Sequence, residues 1–170
     1  MPPDALVRLH ADLVYRVALR VTGSADDAAD ATQDALVKLW QHGAEVPAER
    51  QRAWAARVGR NAALDLVRRR KVRPQPLVSD VELDPACADA LPDADAETRD
   101  LRLGIVQALD TLGEPFRSLV VLRDVEGLAY DEIAEALSLP LTTVKVYLHR
   151  ARTRLRAALQ TSVPDLVPCP

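Results

Sequence analysis

Residues 130–159, YDEIAEALSLPLTTVKVYLHRARTRLRAAL, decide how this chain folds. Ile133, Ala134 and Leu137 recur as one face of a short helix, Ser138 to Leu141 break it, and a longer helix follows. At about 100° per residue, Val144, Leu148, Ala151 and Leu155 fall within an arc of about 60° and face inward. Lys145, Val146, His149, Arg150 and Thr153 then turn outward. A short helix, a tight turn and a longer basic helix make a helix-turn-helix. The outward face suits a major groove. Arg150 can pair in bidentate fashion with guanine, Lys145 and the flanking arginines can meet phosphates, and Val146 can lie against a thymine methyl. An Arg-rich solvated helix closing a small bundle has the same pattern.

Before this segment, a helix ends near Gly113 and Pro115 can begin another, carrying Phe116, Leu119, Val120 and Leu122, which Gly127 closes. Further back, residues 74–98, PQPLVSDVELDPACADALPDADAET, concentrate Pro, Ala and Asp without an apolar period and read as a linker. Three helices precede it. Leu6, Leu9, Leu13, Val17 and Val21 recur at helical spacing until Gly23. Ser24 offers an N-cap oxygen, with Asp27 in the place of a capping-box acid, and Ala28, Thr32, Ala35 and Leu39 form the inner stripe of the second helix. After the breakers from Gly43 to Pro47, a third helix runs from about Glu49 to Lys71. The expected fold is all-α, with two small helical domains joined by an acidic linker, the second containing the helix-turn-helix.

The formal net charge is −3, which hides a strong segregation. Arg50, Arg52, Arg57, Arg60, Arg68, Arg69, Arg70, Lys71 and Arg73 are opposed in their segment by Asp65 alone. Lys145, Arg150, Arg152, Arg154 and Arg156 meet no acid at all. Between the two blocks, the linker holds seven acids and no Lys or Arg.

On the third helix, Trp54, Arg57, Asn61 and Arg68 share a stripe, next to Val58, Ala62 and Leu66, which can enter the core. An aromatic, an amide and arginines together can stack on, hydrogen-bond to and neutralise an unpaired single strand; Trp54 fits a core position equally well. The second helix has the opposite chemistry. Its outer face carries Asp26, Asp30, Gln33 and Asp34 around an apolar Val37, a solubilising face or a docking patch for a basic protein.

These residues carry a family resemblance. RAWAARVGRNAALDLVRRRK (52–71) resembles the promoter-melting helix of extracytoplasmic-function (ECF) sigma factors of bacterial RNA polymerase. DAADATQDALVKLW (27–40) resembles their core-polymerase-binding helix, and GLAYDEIAEALSLPLTTVKVYLHRARTRLR (127–156) their promoter-reading helix-turn-helix. The resemblance implies that residues 1–73 form sigma region 2, 74–98 an acidic linker, 99–160 sigma region 4 and 161–170 a tail. It implies that Asp30, Gln33, Asp34 and Val37 bind core polymerase, through the coiled coil of its largest subunit. Trp54, Arg57, Asn61, Arg68 and Arg69 would engage the −10 element and its opened strand, and the loop around Gly43 to Arg50 would hold a flipped base. Arg123, Lys145, Val146, His149 and Arg150 would read the −35 element, with Tyr130 and Thr143 near phosphates. The linker carboxylates would thread the polymerase channel, and an anti-sigma factor would hold the protein in check. Two departures bear on promoter choice: Thr142 stands where the family usually has Gly, and Val146 and Tyr147 stand where it has a small polar and a basic residue. Thr142 offers a hydroxyl to cap the reading helix.

Aromatics make up 4% of the chain, and the Ala, Leu, Val and Arg that dominate favour helices over sheets. No signal peptide or membrane-length apolar run is visible, so a cytoplasmic protein without membrane insertion is expected. Cys87 and Cys169 form no ligand-like spacing with each other or with His10, His42 and His149, and neither metal nor other cofactor is expected. An enzyme fits poorly, because no nucleophile motif, phosphate loop or metal cluster is present. Two binding proteins remain as alternatives. A sigma mimic that titrates an anti-sigma factor needs no strand-binding basic residues, and a helix-turn-helix repressor needs no Trp/Asn/Arg stripe.

Overall fold

The computed structural model describes residues 3–72 and 96–162. Helices α1 (Pro3–Thr22), α2 (Ala25–His42) and α3 (Gln51–Val72) pack into one unit, with two short 3-10 turns, Gly43–Glu45 and Ala48–Arg50, between the last two. Its core is built largely from small residues: Ala18, Ala28, Ala31, Ala35, Ala55 and Ala63 are fully buried beside Leu6, Val14 and Leu39. Small side chains let the helix axes approach closely. At Gly59 α3 comes against the backbone of α1, since a Cβ there would meet Val14 Cγ1 at 3.0 Å and the Val14 carbonyl oxygen at 3.3 Å.

Gly23 ends α1 with φ +72, a conformation open to glycine, and donates its N–H to the Leu19 carbonyl at 2.9 Å. Ser24 caps α2 as expected, its Oγ accepting from the Asp27 N–H at 3.4 Å. Asp27 itself does not reach back to close a capping box. Its carboxylate is buried and pairs with Arg70 near the far end of α3, tying the last turns of that helix to the start of α2. Burial pushes this carboxyl up from its ordinary value, partly offset by Arg70. A second correction concerns α1: Leu9 is 64% exposed, and His10 occupies the inner stripe instead.

The second unit comprises α4 (Ala96–Asp110), α5 (Phe116–Val120), which runs into a π-helical turn (Val121–Val125), α6 (Tyr130–Leu137) and α7 (Leu141–Ser162). Leu109, Leu112, Leu119, Leu122, Leu128, Ile133, Val144 and Leu148 form its core. The widened turn is marked by the Glu126 N–H donating to the Val121 carbonyl, 3.0 Å, five residues back. Gly127, φ +68, then reverses the chain.

Ser138 adopts a left-handed conformation, φ 55, and the Leu139 N–H returns to the Ala134 carbonyl, which makes the tight turn between α6 and α7. Leu141, expected in the break, already opens α7. The Val144 N–H bonds the Pro140 carbonyl at 3.0 Å, so Thr142 lies inside the first turn and is not the cap expected of it. Most of the acidic linker, including Cys87, and the tail with Cys169 lie outside the described residues; Ala96, Glu97 and Thr98 belong to α4. The described residues are all-α, in two helical units, and include no helix long and apolar enough to cross a membrane.

Candidate nucleic-acid interface

In α7 the inner stripe forms as its spacing requires: Val144, Leu148 and Ala151 are buried and Leu155 is half-buried. The opposite face exposes Lys145, Val146, His149, Arg150 and Thr153 together, Val146 at 49%, with Thr143 half-buried at the edge. None of Lys145, His149 and Arg150 is ion-paired among the described residues. They present cations and donors at a spot where an apolar side chain also reaches solvent, as major-groove readout needs.

The flanks of that face are held by contacts within the unit. Tyr147 packs on Phe116 with ring centroids 5.3 Å apart, and the Arg154 guanidinium lies over the Phe116 ring, 4.4 Å from its centroid, as a cation–π partner. Arg152 pairs with Asp124, which holds its guanidinium above its ordinary value. Arg123 and Tyr130 meet each other: the guanidinium stands 4.7 Å from the ring centre and donates to the Leu128 carbonyl at 2.7 Å. Both are half-buried beside the start of α6.

On α3, Arg57, Asn61, Arg68 and Arg69 are exposed and Trp54 is half-buried against the core of the first unit, so the aromatic belongs as much to packing as to surface. The basic block is less free than its composition suggests. Arg50 pairs with Glu135 at 2.9 Å, Arg52 with Glu132 at 3.7 Å, Arg60 with Glu114 at 2.9 Å, Arg68 with Asp65 at 3.4 Å, and Arg70 with Asp27. Arg57 and Arg69 carry no ion pair among the described residues.

The α2 face places Asp30, Gln33, Asp34 and Val37 on the surface, Val37 54% exposed. Trp40, 55% exposed, extends this patch, and its Nε1–H donates to Asp4 Oδ1 at 3.2 Å. Asp4, Val7, Arg8, Leu36, Val37 and Trp40 line a shallow cleft of about 360 Å³ between α1 and α2. Trp40 was missing from the expected site. Its position three residues after Val37 was the available signal.

Among the described residues no three His, Cys, Asp or Glu side chains gather as a metal site. The surface presents a basic helix that follows a tight turn, a second basic helix with an amide, and an acidic, apolar-centred patch.

Comparison with known proteins agrees. The family model "Sigma-70 region 2" matches residues 6–73, and "Sigma-70, region 4" matches residues 102–155. The chain is 40% identical over 156 residues to the ECF RNA polymerase sigma factor SigE of Mycolicibacterium smegmatis, an alignment covering 90% of this chain and 60% of that relative's length. It is 34% identical over 158 residues to SigL of Mycobacterium tuberculosis, covering 92% of this chain and 88% of the relative. In fold it is similar to the sigma factor RpoE in its co-crystal structure with the anti-sigma factor NepR from Bartonella quintana, with a TM-score of 0.71, 22% identity, and coverage of 91% and 94% of the two chains. The chain belongs to the ECF RNA polymerase sigma factors.

Proposed function

We propose that this chain directs core RNA polymerase to specific promoters and initiates transcription there, acting by binding alone while the polymerase performs the chemistry. Residues 1–73 serve core binding, −10 recognition and melting, 74–98 link the domains, 99–160 read the −35 element, and 161–170 are a tail. The observation that carries this is the solvent face of α7, where Lys145, Val146, His149 and Arg150 stand exposed together on the helix that follows the tight Ser138 turn.

Asp30, Gln33, Asp34 and Val37 dock on a basic coiled coil of the largest polymerase subunit, with Trp40 added to the patch. Trp54, Arg57, Asn61, Arg68 and Arg69 act on the −10 element; Arg123, Tyr130, Thr143, Lys145, Val146, His149 and Arg150 on the −35 element. The protein works in the cytoplasm, where polymerase and promoters are, and is held by an anti-sigma factor, as the sigma factor RpoE is found in complex with NepR. The exposed Arg57, Asn61 and Arg69 weigh against a sigma mimic that never meets DNA.

The test is transcription from a promoter library by purified core polymerase, with and without the chain. New start sites sharing −35 and −10 elements are expected only in its presence, and their absence would overturn the proposal. Charge reversal by Asp30→Lys/Asp34→Lys should weaken the complex with core, because complementary charges become like charges. Unchanged affinity of the folded variant would remove α2 from the interface.

A further inference from the structure

Four ion pairs cross between the two units. Arg16 meets Glu126 at 2.8 Å, Arg50 meets Glu135 at 2.9 Å, Arg52 meets Glu132 at 3.7 Å and Arg60 meets Glu114 at 2.9 Å. In every one the arginine comes from α1, α3 or the turn before it, and the glutamate comes from the second unit. Two further bonds follow the same direction: Arg52 Nη2–H donates to the Glu126 carbonyl at 2.6 Å and Arg60 Nε–H to Ser118 Oγ at 2.6 Å. Beneath them Leu13, Val17 and Ala56 of the first unit join the apolar cluster of Leu122, Leu128 and Ile133. The result is a contact with an apolar centre, satisfied polar groups and sign-segregated charge, which is how a specific interface is built.

This contact is incompatible with the work proposed for the two units. Elements centred about 25 base pairs apart are separated by roughly 85 Å of duplex at about 3.4 Å per pair. A compact chain of this length has a radius of gyration of about 15 Å and a diameter of about 40 Å. With the units in contact, α3 and α7 cannot sit on the −10 and −35 elements of one promoter.

We infer that Arg16, Arg50, Arg52 and Arg60 with Glu114, Glu126, Glu132 and Glu135 form an intramolecular latch that holds the chain in a closed, promoter-incompetent form, and that loading onto polymerase requires it to open. The requirement to open rests on the function proposed above; the closure itself does not. Three of the four pairs have an arginine side chain that is about half exposed, 45–57%, so solvent and salt weaken them and a competing partner can displace them. Opening also frees a row of guanidinium groups on α3. Arg60, which in the closed form additionally reaches Asn61 Oδ1 at 3.4 Å, is released beside the residue proposed to act on the opened strand. The glutamates thus occupy, in the closed chain, cations that a phosphate backbone would otherwise attract.

The test uses the full chain. Glu132→Arg/Glu135→Arg places like charges against Arg52 and Arg50 at half-exposed positions, and the added changes Arg50→Glu/Arg52→Glu restore complementarity with the signs exchanged. Small-angle scattering at low salt should give a larger radius of gyration for the reversed variant and a return to the parent value for the exchanged one. Circular dichroism checks that both are folded, and Glu132→Gln/Glu135→Gln, a milder change, should fall between the reversed variant and the parent. The reversed variant should also associate with core polymerase several-fold faster than the parent, since the apparent constant scales with the competent fraction. A folded reversed variant as compact as the parent would overturn the latch, and so would an exchanged variant that stays extended. An extended variant that associates no faster would overturn its role as a restraint. Scattering needs neither polymerase nor DNA, so a chain that opens as described but starts no transcription counts against the proposed function and leaves the latch standing.

Discussion

Arg16 and Glu126, 110 residues apart in the chain, meet through two guanidinium nitrogens: Nη2–H donates to Oε2 at 2.8 Å and Nε–H to Oε1 at 3.1 Å. The glutamate side chain is only 2% exposed, whereas the arginine is 53% exposed. The two partners are therefore not equivalent. Arg16→Ala leaves a buried carboxylate without its counter-charge and should cost about 1–3 kcal/mol in urea unfolding. Glu126→Gln, which keeps the shape and one acceptor oxygen, removes the buried charge and leaves the half-exposed Arg16 free to hydrate, should cost less. In the double variant much of the Arg16→Ala loss should vanish, giving a coupling of roughly 0.5–3 kcal/mol. Additive losses would mean that the pair is not coupled.

A second prediction concerns pH. His10 is buried in α1, and its imidazole is held below the ordinary value by burial and by repulsion from Arg52. The unfolded chain takes up this proton near pH 6.5 while the folded chain resists it, so between 6.5 and the lower folded value the unfolded state binds more protons. Stability should fall with pH across that window and level off below it. His10→Leu removes the proton and loses no hydrogen bond at Nε2, which has no partner among the described residues. The variant should lose less Tm than the parent between pH 7 and pH 5. Parallel losses would show that other groups dominate acid sensitivity.

The helix-turn-helix was legible because an apolar period and a break stand next to each other: Val144, Leu148 and Ala151 can share one face only if the chain is helical. Leu9 misled for a related reason. It sits about 60° from Leu6 on the side away from His10 and Val14, and hydrophobicity alone does not choose between the two edges of a stripe. The π-helical turn left no mark, since Gly127 shows where a helix stops but not how its last turn is wound. The destinations of Arg50, Arg52 and Arg60 were hidden too. A run of arginines states a charge, and its partners, acids more than 50 residues away, are chosen by tertiary packing.

At the −35 element, Arg150 and Lys145 should separate by their response to sequence. If Arg150 contacts a base edge, Arg150→Ala costs roughly 1–3 kcal/mol at the preferred element and much less at a scrambled one. If Lys145 meets mainly a phosphate, Lys145→Ala should weaken both alike and lower the salt slope by about one. Binding titrations of the polymerase complex on the two duplexes at several salt concentrations read both. Equal losses for Arg150→Ala on the two sequences would remove it from the base readers.

The last prediction separates DNA opening from DNA binding. Bases in a duplex cannot be stacked on side chains or bonded at their pairing edges until they leave the helix, so a factor that opens DNA without a nucleotide motor must offset unstacking, a few kcal/mol per base. On α3, Asn61 is exposed between Arg57 and Arg68, with a donor and an acceptor suited to an extruded base edge. Asn61→Ala should leave core binding and −35 recognition nearly intact while reducing permanganate-reactive thymines at the −10 region. A premelted template should rescue much of the transcription defect, because most of the opening cost has been removed. Because Arg60 touches Asn61 in the closed chain, the variant should also be compared with the parent by scattering, to separate a change in closure from a change in strand capture. If the variant opens duplex promoters as well as the parent, or fails equally on premelted and duplex templates, Asn61 does not act on the opened strand, and α3 serves there as a scaffold with a solvated basic face.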